Sequence, residues 1–146
     1  MSKLIIIRGL PGSGKSTFAE DYINIFGELL EKNGHPTVHI EADMFFVDVM
    51  GNYNYDASKI KDAHDWCQEQ TKKFLNNGID VIVSNTFTRK WELEPYMKMV
   101  DPEDFIIYTM TDNYGNIHGV PPEVIEKMKE RWEDIPGEVI VPKNGV

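Results

Sequence analysis

Apolar and polar positions along the chain alternate between strand-like runs and helix-like stripes. Leu4 to Ile7 is a continuous apolar run of strand length, bounded by Lys3 and Arg8, and a strand apolar on both faces suits the buried middle of a parallel sheet. Beyond a glycine-rich turn, Phe18, Tyr22, Phe26, Leu29 and Leu30 recur at near-helical spacing, and Asn33-Gly34 supplies the exit. Thr37 to Glu41 reads as a second strand and Ile79 to Ser84 as a third. Between them Ile60, His64, Cys67, Thr71, Phe74 and Leu75 trace a helical stripe ending at Asn77-Gly78. Phe105 to Met110 makes a fourth strand. Pro121-Pro122 then open a last helix, with Val124, Ile125, Met128 and Trp132 on its buried side, and Val139 to Val141 adds a short fifth strand.

Strands alternating with helices predict an α/β domain with a mainly parallel sheet of four to five strands flanked by helices. In such sheets ligands sit beyond the carboxyl ends of the strands. The residues placed there are 9–17, 41–46, 85–89 and 111–118.

The first of these segments carries the strongest chemistry. Gly9-Leu10-Pro11-Gly12-Ser13-Gly14-Lys15-Ser16 follows an apolar strand and opens an amphipathic helix, the pattern of a P-loop nucleoside-triphosphate-binding fold. Its glycines let backbone amides and the positive end of the helix approach phosphate oxygens. Gly12, Ser13, Gly14, Lys15, Ser16 and Thr17 are therefore expected to bind ATP or another nucleoside triphosphate. Lys15 would reach the terminal phosphates, and the Ser16 hydroxyl would ligate the magnesium that joins them. Calcium or zinc would need ligand sets that the neighbouring sequence does not offer.

Length and charge narrow the partners. A chain of 146 residues fits a single domain spanning residues 1–146. No 18-residue apolar run or leader-like segment stands out, and Cys67 is the one cysteine, so a cytoplasmic protein without a membrane contact is the expectation. A formal net charge of -9 disfavours broad, non-specific attachment to nucleic acid, so any polynucleotide contact should be short and local. Oligomeric state is left open, homo-oligomers included.

A P-loop alone serves pumps, switches and kinases alike. A kinase also needs a carboxylate beside the acceptor hydroxyl. Asp43, in Glu41-Ala42-Asp43 just past the second strand, is placed for that role and as a second group near magnesium; the competing reading is an N-cap of a short helix. Glu41 is a further candidate for water-mediated contact with the metal.

Beyond these motifs the chain resembles the small P-loop 5'-polynucleotide kinases, a family that includes the kinase domain of the bacteriophage enzyme. The resemblance covers nearly the whole chain. It rests on residues 9–17, on Asp43 two residues past Glu41, and on Tyr53-Asn54-Tyr55-Asp56 followed by Ala63-His64-Asp65-Trp66. Ser84-Asn85-Thr86-Phe87-Thr88, Trp91-Glu92, Pro95-Tyr96, His118-Gly119-Val120-Pro121, Met128 and Arg131-Trp132-Glu133 extend it. The resemblance implies that Lys15 and Ser16 bind ATP and magnesium, that Asp43 activates the 5'-hydroxyl end of DNA or RNA, and that Asn85 and Thr86 line the acceptor side. A lid in the C-terminal region would close over ATP.

Two positions depart from the family pattern. The bacteriophage enzyme carries an arginine three residues past its aspartate, where this chain has Phe46; the ring would either stack an acceptor base or join the core. Relatives also place an arginine before the His-Gly-Val-Pro turn, where this chain has Asn113-Tyr114-Gly115-Asn116-Ile117. Arg131, Lys127 and Arg89 are the candidate replacements, Arg131 as the catalytic cation and Arg89 as a contact for acceptor phosphate. Tyr53 and Tyr55 read as edge-of-core packing or as a stacking platform. His64 reads as a buried stripe residue, and His118 as a nucleotide contact or a turn bond. The alternatives to a polynucleotide kinase are a kinase of nucleosides, nucleotides or other small metabolites, and a non-catalytic nucleotide-binding regulatory module.

Overall fold

The computed structural model describes residues 2–32, 36–111 and 120–141. Five parallel strands form one sheet in the order β2-β3-β1-β4-β5: β1 Leu4–Arg8, β2 Thr37–Ile40, β3 Asp80–Asn85, β4 Phe105–Met110 and β5 Val139–Val141. Four helices connect them, α1 Lys15–Lys32, α2 Ile60–Asn76, α3 Lys90–Met97 and α4 Pro122–Glu130. The predicted parallel α/β sheet is thus the observed one, with β1 at its centre, paired to β3 on one side and β4 on the other.

The doubly apolar β1 run is explained by burial from both faces. Leu4 and Ile6 point into a cluster with Val81, Val83, Cys67, Leu93 and Tyr96, under α2 and α3. Ile5 and Ile7 point the other way, into a cluster with Ile82, Ala19, Phe18 and Tyr22 of α1. A strand alternates faces every residue, so covering both requires the continuous run seen in the sequence.

The structure adjusts the sequence reading in several places. On α2 the buried positions are Ala63, Cys67, Thr71 and Leu75, a one-in-four ladder that leaves Ile60 exposed at the helix start and His64 half-buried. Helix α3 gave no periodic signal because it is eight residues long and contains Pro95. Helix α4 starts at the proline pair as expected but has no fully buried residue. Trp132, expected on its apolar side, instead lies beyond its end against Arg8. Among the described residues no helix is long and apolar enough to cross a membrane.

A phosphate cradle and a carboxylate pair at the strand ends

The carboxyl ends of β1, β2 and β3 converge on one cleft. After β1 the chain turns through the glycine-rich loop, where Gly12 and Gly14 have φ of 81° and 90°, a region that other residues enter only with strain. The turn is closed by Ser13 N donating to Leu10 O (3.1 Å), and α1 begins as Phe18 N donates to Gly14 O (2.9 Å). Gly9 is fixed by crowding: a Cβ there would clash with Ser13 Oγ and meet Met110 atoms at 3.1 Å. Ser13 Oγ, in the same loop, is buried without a hydrogen-bond partner among the described residues.

Lys15 Nζ donates to Leu10 O at 3.1 Å, folding back over its own loop. Burial lowers the ammonium's pKa to about 8, against the opposing pull of Glu41 and Asp43. Both carboxylates therefore act on Lys15 across the cleft. An anionic ligand would restore the charged form, so binding above pH 8 must take up a proton. Titration calorimetry of ATP at pH 9 in buffers of different ionisation enthalpy is expected to show uptake approaching one proton per nucleotide, with affinity declining as pH rises past 8. A pH-independent affinity with no uptake would contradict this role for Lys15.

Glu41 sits at the end of β2 in a network that sequence reading did not find. Its Oε1 accepts from Ser16 Oγ and from Ser84 Oγ at 2.9 Å. His39 Nε2 lies 2.5 Å from Ser84 Oγ and 3.3 Å from Glu41 Oε1. Since the Ser84 proton goes to Glu41, His39 Nε2 carries the proton toward Ser84. Burial alone would raise the Glu41 pKa, but hydrogen bonds from His39, Ser16 and Ser84 outweigh it and hold the carboxyl at about 2. His39 was hidden because an imidazole in a strand has no local signature; the contact crosses two strands.

Ser16 donates its proton to Glu41, which leaves its oxygen free as an acceptor, the state a hard cation requires. This arrangement fits magnesium: Ser16 as direct ligand, Glu41 as the carboxylate that orients it, Asp43 nearby. Among the described residues no group of three or more His, Cys, Asp or Glu forms a metal cage, and magnesium at nucleotide sites does not need one, since phosphates and water complete its shell. Glu41→Gln is expected to weaken magnesium affinity of the nucleotide complex about 10- to 100-fold, measurable with Mn2+ as a paramagnetic probe.

Asp43 lies in a 3-10 turn, Ala42–Phe46, with its side chain exposed. It is not the turn's N-cap; Glu41 holds that position and makes no side-chain cap bond, which removes the competing structural role. Asn85, expected on the acceptor side, is used internally: its Oδ1 accepts from Ala42 N at 2.9 Å, and its Nδ2 lies 3.7 Å from Cys67 Sγ. The amide ties β3 to the turn that presents Asp43. Thr86 is half-buried immediately beyond it.

Of the two readings of Phe46, a base-stacking acceptor contact or a core residue, the structure shows the core one. It is 7% exposed and packs edge-on against Phe45 at 5.4 Å. The cause is the loop after the turn: Val47 bridges Tyr53 and Asn54 N donates to Phe46 O, folding Tyr53 and Tyr55 over the ring. The exposed aromatic surface belongs to those tyrosines.

Arg131 caps α4, and its Nε donates to Thr88 Oγ1 at 3.1 Å. Arg89 is the exposed N-cap of α3. Both stand at the loop beyond β3, and the segment 112–119 that would form the lid, with Asn113 to Ile117 and His118, lies outside the described residues. Sequence reading passed over Arg8 as a strand boundary. It is fully buried, donating to Phe87 O (2.8 Å), Thr88 O (3.3 Å) and Glu133 O (2.9 Å). It also pairs with Glu138 at 3.2 Å and lies 3.9 Å from the Trp132 ring centroid. These contacts hold Phe87 at a φ of 47°, the one positive φ outside glycine among the described residues.

A P-loop, a carboxylate turn after β2 and this strand order together define a nucleotide-binding P-loop fold of the kinase-like type. Residues 4–114 match the AAA_33 family, described as an AAA domain, and the chain belongs to it. Human NEDD4-binding protein 2 is 30% identical over 142 residues, covering 89% of this chain, while the match spans only 8% of that protein's length. Three solved structures share the fold. Chaetomium thermophilum Kti12 in complex with ADP-AlF3 aligns with a TM-score of 0.71 at 14% identity, covering 97% of this chain and 89% of that one. A gluconokinase from Sinorhizobium meliloti aligns at 0.60 and 16%, covering 95% and 81%. A chain of the Pnkp1/Rnl/Hen1 complex aligns at 0.56 and 21%, covering 86% and 38%.

Proposed function

We propose that this protein is an ATP-dependent phosphotransferase whose acceptor is the 5'-hydroxyl end of DNA or RNA. The carrying observation is the meeting of Lys15, Ser16, Glu41 and Asp43 at the ends of β1 and β2, with Ser16 bonded to Glu41 and both carboxylates acting on Lys15. In this reading Asp43 accepts the acceptor hydroxyl's proton as its oxygen forms a bond to the terminal phosphorus of ATP and the bond to the ADP oxygen breaks. Lys15 and the loop amides offset charge on the transferring group. Magnesium, when bound, would supply positive charge that offsets part of the phosphate charge. Ser16 and Glu41 would hold it.

Support for the polynucleotide acceptor comes from the chain-wide motif resemblance. A small-molecule acceptor, such as a nucleoside or another metabolite, is the second reading, favoured by the net charge of -9 and by Asp43, Asp48 and Asp56 around the turn and its loop. Competition separates the two. Unlabelled 5'-hydroxyl oligonucleotide should suppress labelling of a mononucleoside when both are offered at equal concentration, whereas the opposite ranking would favour the small-molecule reading.

A further inference from the structure

The loop after Asp43 presents a feature that phosphate binding and the proton transfer leave unused. Tyr53 and Tyr55 are 55% and 54% exposed, and their rings are nearly parallel, 10° apart with centroids separated by 6.4 Å. Both rest on buried Phe46, at 6.2 Å and 5.2 Å, so neither is a loose surface side chain. Tyr53 OH donates to Asp43 Oδ1 at 3.4 Å, which sets the pair directly beside the group read as the base. Tyr55 also lines an open groove of about 780 Å³ shared with Phe45, Asp48, Asp56 and Lys59.

The loop's frame is fixed. Asp48 accepts from Met50 N and Asn52 N at 2.9 Å each and from Asn54 Nδ2 at 3.1 Å, which holds the tight reversal between Val47 and Tyr53. The charges here are Asp43, Asp48 and Asp56 against Lys59, an excess of negative charge that repels phosphate. The part of a ligand that meets this surface therefore carries no negative charge, and the flat ring faces suit a planar group stacked on them.

We infer that Tyr53 and Tyr55 form the specificity platform for the acceptor, stacking the base of its 5'-terminal nucleoside so that the 5'-hydroxyl falls at Asp43. The assignment rests on Asp43 being the acceptor-side carboxylate. It gives the acceptor site the aromatic surface that Phe46 cannot supply, and it makes the terminal base rather than a phosphate the recognised group.

The test compares 5'-hydroxyl oligonucleotides with and without a base at the first position, using wild type, Tyr55→Ala and Tyr55→Phe. Wild type should prefer the base-bearing acceptor in kcat/KM by about 5- to 150-fold, the range that base–aromatic stacking carries. Tyr55→Ala should erase that preference and Tyr55→Phe should keep it. Equal use of both acceptors by wild type, or an equal loss on both in Tyr55→Ala, would overturn the platform while leaving phosphotransfer standing. Binding of an oligonucleotide with 2-aminopurine at its first position provides a readout independent of transfer. Quenching in wild type that is lost in Tyr55→Ala supports the platform even if no phosphoryl group moves, a result that would sink the proposed reaction instead. Absence of quenching would overturn the platform.

Discussion

Asp43→Asn is expected to lower the rate of phosphoryl transfer by about 10²- to 10⁴-fold, the usual contribution of a positioned general base, with nucleotide affinity nearly unchanged. The substitution is close to isosteric, and an amide oxygen can still accept from Tyr53 OH, so the turn should keep its shape. The side chain is exposed and caps no helix, so folding stability should shift by no more than about 0.5 kcal/mol. What disappears is the ability to accept a proton. Steady-state transfer kinetics together with calorimetric ATP binding separate the two effects. A variant that keeps its rate would remove Asp43 from the reaction, and one that loses ATP binding as well would point to a role in holding the nucleotide.

Arg8→Met is expected to cost about 3 to 5 kcal/mol of folding stability, the penalty typical of removing one partner of a buried ion pair. The guanidinium is enclosed and serves three backbone carbonyls besides Glu138. Its loss would strand a carboxylate that also accepts from Thr109 Oγ1 at 2.5 Å, and would release the strained Phe87 backbone. Because Arg8 directly precedes Gly9, the cradle should loosen too, and ATP binding should weaken even where the variant folds. Urea denaturation gives the stability change and calorimetry the affinity. A loss below about 1 kcal/mol would mean that the 131–138 segment is held by other contacts.

The parts of this molecule visible in the sequence are those written locally. Leu4 to Ile7, the three glycines and Lys15-Ser16 specify strand, turn and helix start within a dozen residues, and β4 and β5 have the same bounds in sequence and structure. Asp43 is singled out in sequence by its place just past a strand end, and the structure sets its exposed carboxylate in the turn after β2. What escaped depends on residues far apart in the chain: Arg8 meets Glu138 across 130 positions, and His39 meets Ser84 across 45. The two readings of Phe46 stayed open in sequence for the same reason, since its cover comes from a loop that folds back through a single bridge. A charged residue ending an otherwise apolar central strand, followed by acidic residues near the last strand, was the one local hint of the Arg8 cluster. The tyrosines carried both readings in sequence; in the fold each ring packs on Phe46 while about half of its side chain stays exposed.

Transfer of the terminal phosphoryl group of radiolabelled ATP by the wild-type protein is the most direct measurement. Magnesium-dependent label should appear on 5'-hydroxyl oligonucleotides and be absent from oligonucleotides already phosphorylated at that end. Tight ATP binding with no label on any oligonucleotide or nucleoside, even at enzyme concentrations matching the acceptor, would contradict it.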